Sequence, residues 1–552
     1  MQQTRSRVLI VGLDGGTFDV ILPLVKAGRM PNVGRLIEQG MHGILRSTIP
    51  PITPTAWTSF MTGVNPGKHG IFDFQRAVAN SYEFRPVPAG QHEYKSLWRL
   101  VSEHGRAVVS LDVPFTYPAE PVNGCLISGY GTPAGEDVPF TWPRDLAQEL
   151  REECGACRPA VLERQPNLSA EFFREWDDLL ENREAIAHYL WSRVDWDLFM
   201  IVLGVIDNVQ HALWTYLDPR HRDFYAPGAA EYRAALCGYY EKADALLGTL
   251  LSRAGKNTTV LLMSDHGFGS TRPGLYLPQV LMDLGMLRYK DGLLSVRGNS
   301  GPMRRLLGLY NSVPWLRRAL LRISPGCKAA LKRVLQRGAL VPSLASIDWA
   351  GTRAFPSAFG LHIYVNRVDR YPHGTVEPGE EYERLVEELR RSLLAATEPG
   401  TGEPIVRAVY RGDEVYRGKW VDSAPDLIVE YTNLFDPARK PDATMVLPDI
   451  GGSHVPEGIL IASGEAIGRG TVDGAVIEDL APTVLHLLGL PVPTNLDGRV
   501  LGQMLSQEWL ASHPVVYGGE EGTGSTEEDR YGYTDEEVEH IRAQLSGLGY
   551  IS

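Results

Sequence analysis

The stretch RVLIVGLDGGTFDV, residues 7–20, decides how the chain is to be read. Its apolar run, Val8 to Leu13, stops at Asp14-Gly15-Gly16. A short apolar run bounded by turn residues reads as a buried parallel strand, and the glycines as a sharp turn after it. Such a turn suits a phosphate cradle, but the spacing is Gly12-x-x-Gly15-Gly16 rather than G-x-G-x-x-G, and a carboxylate stands at the strand's end. Asp14 is therefore open to three roles: holding a nucleotide ribose, binding a metal, or accepting from its own turn.

Further apolar runs follow the same plan. AVVSLDV (107–113), GCLISGY (124–130), LFMIVLGVI (198–206), TTVLLMS (258–264) and DLIVEY (426–431) are candidate strands separated by helical stretches. Strands alternating with helices predict an α/β protein with a mostly parallel sheet covered on both faces. Ligands of such sheets bind beyond the carboxyl ends of the strands. Three ends carry chemistry there: Asp14, Asp207 with His211 in DNVQH, and Asp265-His266.

The bulk composition bounds the function. The chain has 552 residues, 43% hydrophobic and 22% charged, ordinary for a globular protein with room for more than one domain. A net charge of −13 argues against binding a nucleic-acid duplex, which needs a basic field. Five cysteines in this length make no disulfide framework, and the lone pair Cys154-Gly-Ala-Cys157 lacks the second pair a zinc knuckle needs. MQQTRSR runs straight into the first strand with no signal-peptide pattern, and no run reaches the ~18 apolar residues of a spanning helix. The expectation is a cytoplasmic protein.

The organisation expected is a core over 1–285, in which the Trp- and Glu-rich segment 135–195 forms a helical lid. An insertion follows over 286–419, and the core closes over 420–505. Within the insertion, residues 292–347 contain no Asp or Glu but many Arg and Lys among Leu and Trp. Two readings stay open for it: a basic amphipathic hairpin touching anionic membrane, or a helical insert whose cations pair with the acidic body. Residues 506–552 form an acidic Gly-rich linker and a last helix, with Thr534 and Glu537 as a capping box and Gly547 as its stop. That helix is expected to dock on the body or on a second subunit, as in a homodimer.

Asp14, Asp207, His211, Asp265, His266 and, much later, His454 in GGSHVPEG are the donor types of zinc, manganese or iron sites. Asp207 and His211, four apart, share one face of a helix. His454, between glycines and Pro456, reads as a loop residue. The stretch TIPPITPTAWTSFMTGVNPGKHGIFDF (48–74) reads as a loop entering a short helix. A hydroxyl at a helix start meets a dipole that suits phosphate, and a metal-activated Thr or Ser is a competent nucleophile. Each of these threonines is equally able merely to cap the helix.

VGLDGG, PPITPTAWTSFMTGVNPGKHGI, DNVQH, SDHGFG and GGSHVPEG, in this order, resemble the alkaline phosphatase superfamily, and within it the type I phosphodiesterase/nucleotide pyrophosphatase branch. IEDLAPTVLHLLGLPVP (477–493) is similar to the superfamily's closing core segment. The resemblance implies an alkaline-phosphatase-like core with helical and mixed insertions. It implies two divalent ions, zinc foremost with manganese or iron as alternatives. One would be held by Asp14, Thr53, Asp265 and His266, the other by Asp207, His211 and His454. It implies Thr53 as nucleophile through a phospho-threonine, with Thr55 as the alternative if the loop register slips. The substrate implied is a small phosphate ester of a nucleotide, sugar or lipid, cleaved at a phosphodiester or pyrophosphate bond.

One position departs from the pattern. Where relatives place an Asn that hydrogen-bonds a substrate oxygen, this chain has Phe74. Lys68, Trp57 and Arg370 are candidate substitutes. The departure leaves a phosphomonoesterase or phosphomutase as an alternative on the same metal site. A third reading is a non-catalytic, metal-bound module for phosphorylated glycans or lipids.

Overall fold

The computed structural model describes residues 5–87, 94–133, 135, 138–157, 168–271, 275–290, 344–357, 360–398, 402–432, 451–519 and 533–547. The basic segment 292–347 lies almost wholly outside them, as does most of the acidic linker.

A ten-stranded sheet runs through the molecule. Its centre is five parallel strands in the order Thr258–Met263, Arg7–Leu13, Leu198–Leu203, Val108–Val113 and Gly124–Ser128. Glu457–Ser463 joins antiparallel to Thr258–Met263, and Met41–Arg46 joins antiparallel to it in turn. Gly12 pairs with both Val202 and Met263, so the three ends that carry chemistry lie side by side.

Alternation along the first strand divides the core into two layers. Leu9, Val11 and Leu13 face one layer, with the helices Ala170–Arg193, Val205–Leu217 and Ala229–Arg253 over them. Val8 and Ile10 face the other, beneath the helices Thr53–Thr62, Leu97–Glu103 and Leu480–Leu487. Ala170–Arg193 falls in the segment expected as a lid; it buries Phe172, Trp176, Leu180 and Leu190 in the first layer.

Several expectations need correction. LFMIVLGVI is not one strand: the strand ends at Leu203, and Val205 opens the helix Val205–Leu217. A continuous apolar run cannot separate a buried strand from a buried helix start. DLIVEY does not join the parallel sheet. Leu427–Tyr431 belongs to a separate four-stranded antiparallel sheet in the order Ala354–Pro356, His362–Val365, Leu427–Tyr431, Val406–Arg411. The helix Glu380–Leu394 buries Leu385, Val386, Leu389 and Leu393 in this sheet's own core. The strands Met41–Arg46 and Glu457–Ser463 were not anticipated.

The last helix, Asp535–Gly547, seats on the same chain. Its capping box forms as expected, with Glu537 N donating to Thr534 Oγ1 and Thr534 N to Glu537 Oε2. Tyr117 Oη donates to Glu537 Oε1 at 2.7 Å, and Ile541 and Leu545 enter the core of the small sheet. Cys154 and Cys157 are both free thiols. No helix among the described residues is long and apolar enough to cross a membrane.

Candidate metal centre and nucleophile

The carboxyl ends of the three central strands deliver their side chains to one place. Asp14 follows Arg7–Leu13, Asp207 stands in the first turn of Val205–Leu217, and Asp265-His266 follows Thr258–Met263. His211 is one turn beyond Asp207, with its Nε2 3.5 Å from Asp207 Oδ2. His454 lies not on a loop but on the short strand Gly452–Val455, paired antiparallel with Gly267–Ser270 so that it stands opposite Phe268. That pairing carries His454 Nε2 to 3.0 Å from His211 Nε2 and 3.4 Å from Asp207 Oδ1.

Two overlapping donor groups result. Asp207, His211 and His454 form one; Asp14, Asp207 and His266 form the other, each with its ligand atoms within 4.8 Å of one another. Asp207 is common to both. Asp265 stands beside the second group, its Oδ2 3.4 Å from His266 Nε2, while its Oδ1 accepts from Gly15 N at 3.2 Å.

The donor set fits cations. Asp14 Oδ1, Asp207 Oδ1 and Asp265 Oδ2 are buried with no hydrogen-bond partner among the described residues. His454 Nδ1 lies 3.1 Å from the Pro51 carbonyl and His266 Nδ1 2.9 Å from the Gly267 carbonyl. A carbonyl only accepts, so each Nδ1 carries the proton and each Nε2 turns a lone pair to the cluster.

Electrostatics agree. Burial, reinforced by the neighbouring carboxylates, pushes the Asp14 and Asp265 carboxyls well above their ordinary range. Burial alone would raise Asp207 too, but His211 and His454 hold it below the ordinary value. Burial, with His454 beside it, keeps His266 neutral by lowering its pKa well below the usual value. Burial opposes charge on His454 as well, yet Asp207 lifts its pKa above the ordinary value. A concentrated positive charge at the centre would satisfy all these groups at once.

Thr53 is the first residue of the helix Thr53–Thr62, and its Oγ1 lies 3.4 Å from His266 Nε2. The residue at the capping position is Ile52, so Thr53 is not engaged as the cap. Thr58 and Thr62 spend their hydroxyls on the carbonyls of Pro54 and Thr58. Thr53 therefore stands at the positive end of the helix dipole and against the donor cluster together.

Supporting contacts were not anticipated. Trp57 Nε1 donates to Asp14 Oδ2 at 3.1 Å, Gln210 Nε2 donates to the Gly15 carbonyl at 2.9 Å, and Tyr240 Oη donates to Gln210 Oε1 at 2.8 Å. Gly15 has φ +65°, and a Cβ there would sit 2.9 Å from Asp207 Oδ1. The glycine thus serves both a left-handed turn and the close approach of the Asp207 carboxylate.

Phe74 is buried, with its ring against Phe115 and Tyr130 at centroid distances of 6.0 and 6.2 Å. The candidate substitutes are committed elsewhere. Trp57 serves Asp14, Lys68 pairs with Asp497 at 2.8 Å, and Arg370 pairs with Asp426 at 3.3 Å.

Two cavities flank the cluster. One shares Asp14, Thr53 and Asp207 and is walled further by Asp112, Tyr130 and Arg183. The other, of about 450 Å³, lies between Ile49, Pro51, Trp214 and Phe268.

The family model for type I phosphodiesterase/nucleotide pyrophosphatase matches residues 8–454. No curated protein matches the sequence. Among solved structures, phosphonoacetate hydrolase from Sinorhizobium meliloti 1021, in complex with phosphonoacetate, has a TM-score of 0.52 at 14% identity, over 88% of this chain and 96% of that one. Human ectonucleotide pyrophosphatase/phosphodiesterase 5 gives 0.49 at 13% identity, over 91% of this chain and 100% of that one. With most of its length inside the matched span, the chain belongs to the type I phosphodiesterase/nucleotide pyrophosphatase family and is a hydrolase of phosphoric ester bonds.

Proposed function

We propose that this protein cleaves phosphodiester or pyrophosphate bonds, with Thr53 as the nucleophile and two divalent ions, zinc foremost, as cofactors. The reading rests on one observation: three buried carboxylate oxygens with no hydrogen-bond partner among the described residues gather with three histidines, and the hydroxyl of Thr53 at a helix start lies 3.4 Å from one of these, His266 Nε2. Asp207, His211 and His454 would hold one ion, and Asp14, His266 and Asp265 beside Thr53 the other. When bound there, such ions supply Lewis-acid charge to phosphoryl oxygens.

The chain's own residues do the rest. Thr53 Oγ1 attacks phosphorus in line, forming an Oγ1–P bond as the P–O bond to the departing group breaks and the hydroxyl proton passes to the departing oxygen. Water then cleaves the phospho-threonine and restores the hydroxyl, so each cycle consumes one water. Trp57 orients Asp14, and Gln210 fixes the turn that carries it.

Phe74 favours a second reading on the same site, a phosphomonoesterase or phosphomutase, because its side chain offers a substrate oxygen no donor. One experiment separates the two. Metal-stripped protein is refilled with zinc or with manganese, and turnover of bis(4-nitrophenyl) phosphate is compared with that of 4-nitrophenyl phosphate. Metal-dependent diester cleavage that falls at least about a thousandfold in Thr53→Ala is the expected result. Cleavage of the monoester alone moves the assignment to the second reading, and wild-type turnover by Thr53→Ala rules out the covalent route.

A further inference from the structure

The cavity that shares Asp14, Thr53 and Asp207 has a second wall that the hydrolytic reading leaves unused. Asp112 stands on it at the carboxyl end of the strand Val108–Val113. Pairing with Gly124–Ser128 shifts register between Leu111 and Val113, and Asp112 has φ +59°. A bulge at a strand end re-aims one side chain, and here it turns an acidic residue out of the sheet into the cavity.

Arg183, from the helix Ala170–Arg193, meets Asp112 there through its Nε and is only 3% exposed. The pair satisfies Asp112 Oδ2 but not Oδ1, which is buried without a hydrogen-bond partner among the described residues. Tyr130, which lines the same cavity, likewise has its Oη buried without a hydrogen-bond partner among the described residues. Burial, with Asp207 nearby, raises the Tyr130 pKa well above its usual value, so the phenol keeps its proton as a donor.

As a stability device this arrangement is poor. A buried ion pair contributes little net, and an unmet carboxylate oxygen and an unmet phenol each carry a desolvation penalty. The two residues that carry these atoms line a cavity shared with Thr53, which is the arrangement of a binding site awaiting its ligand.

We propose that this cavity seats the organic group esterified to the reacting phosphorus and selects one bearing a free hydroxyl, with Asp112 Oδ1 as the hydroxyl's acceptor and Tyr130 Oη as a donor to the same group. The substrate class is thus the phosphate esters of polyols and sugars. A further anion in this cavity is disfavoured, because Asp112 already answers the charge of Arg183 and Asp14 and Asp207 stand close by. Leu180 and Val205 supply the apolar contact that a carbon skeleton needs.

This inference rests on the hydrolytic reading for the position of the phosphorus, and its test does not depend on turnover. Zinc-loaded Thr53→Ala protein is titrated calorimetrically with glycerol 1-phosphate and with propyl phosphate, which differ only in hydroxyl groups. Glycerol 1-phosphate binds at least about tenfold more tightly. In the Thr53→Ala background, Asp112→Asn brings the ratio close to one and Tyr130→Phe lowers it at least about threefold. Tyr130→Phe leaves the Asp112–Arg183 pair in place and keeps the test decisive if Asp112→Asn does not fold.

Equal or weaker binding of glycerol 1-phosphate, no binding of either ligand, or a ratio that survives in Tyr130→Phe overturns the proposal. A discriminating ratio in a protein whose wild type hydrolyses no ester overturns the hydrolytic reading alone.

Discussion

Trp57 Nε1 donates to Asp14 Oδ2 at 3.1 Å, and this single bond leaves Asp14 Oδ1 as the oxygen that faces His266. Trp57→Phe keeps a large ring beside Phe60 but frees the carboxylate to rotate. Zinc affinity is expected to fall about 10- to 100-fold, as for the loss of other groups that orient a ligand. Competition with a chromogenic chelator measures it; unchanged affinity would show that Asp14 is held by other means.

Asp207 belongs to both donor groups, whereas His211 belongs to one. Asp207→Ala is therefore expected to lower bound zinc at both positions and His211→Ala at one. Elemental analysis of dialysed protein, with thermal unfolding beside it, reads the difference. Equal zinc content in the two variants would contradict the shared role.

Gly15→Ala forces a side chain onto a φ of +65° and against Asp207 Oδ1. A loss of more than about 1 kcal/mol of stability is expected, with weakened metal binding besides. Denaturant midpoints at saturating and at zero zinc separate the two effects.

Phe74→Asn supplies the amide that the family resemblance implies at this position but removes a ring from a buried aromatic cluster. The cavity term dominates, and a loss of about 3 kcal/mol or more is expected. A lowered unfolding midpoint without a gain in diester turnover is the outcome anticipated. A faster and equally stable variant would show that Phe74 is not structural.

Glu478 is pushed up to about 7 by burial, with Asp479 adding to it. Below the ordinary carboxyl pKa, both the folded and the unfolded chain hold this proton. Between there and about 7 only the folded chain does, so its contribution to stability falls as pH rises through that window and is fully lost above it. Glu478→Gln is expected to flatten the fall in unfolding temperature between pH 5 and 7, a window set by this shift. An unchanged slope would assign the fall to other groups.

The cluster of Asp and His side chains was legible because parallel strands bury their middles and leave room for polar residues at their ends. Asp14, Asp207 and Asp265 each close an apolar run, and that pattern survives without knowledge of the fold. His454 was legible as a donor type but not in its place, since the strand pairing that brings it opposite Phe268 joins segments far apart in the chain.

The recognition wall was not legible. Asp112 sits inside VVSLDV as an ordinary polar interruption, and nothing local announces the bulge that turns it. Arg183 lies among glutamates on a long helix, where a solvated face is the natural reading. The small sheet was missed for a related reason: a five-residue apolar strand does not say which sheet it will join.

Ile52 and Phe74 lie on either side of the helix that begins at Thr53, and both are buried in the core of the small antiparallel sheet. The body of that helix, through Ala56, Trp57 and Phe60, is buried instead in a layer of the large sheet. The Thr53 hydroxyl is thus moored to two bodies. Under the proposed function, changes in the small sheet would shift the aim of the Thr53 hydroxyl while leaving the Asp and His donors in place, a route for retuning the chemistry from outside the donor cluster.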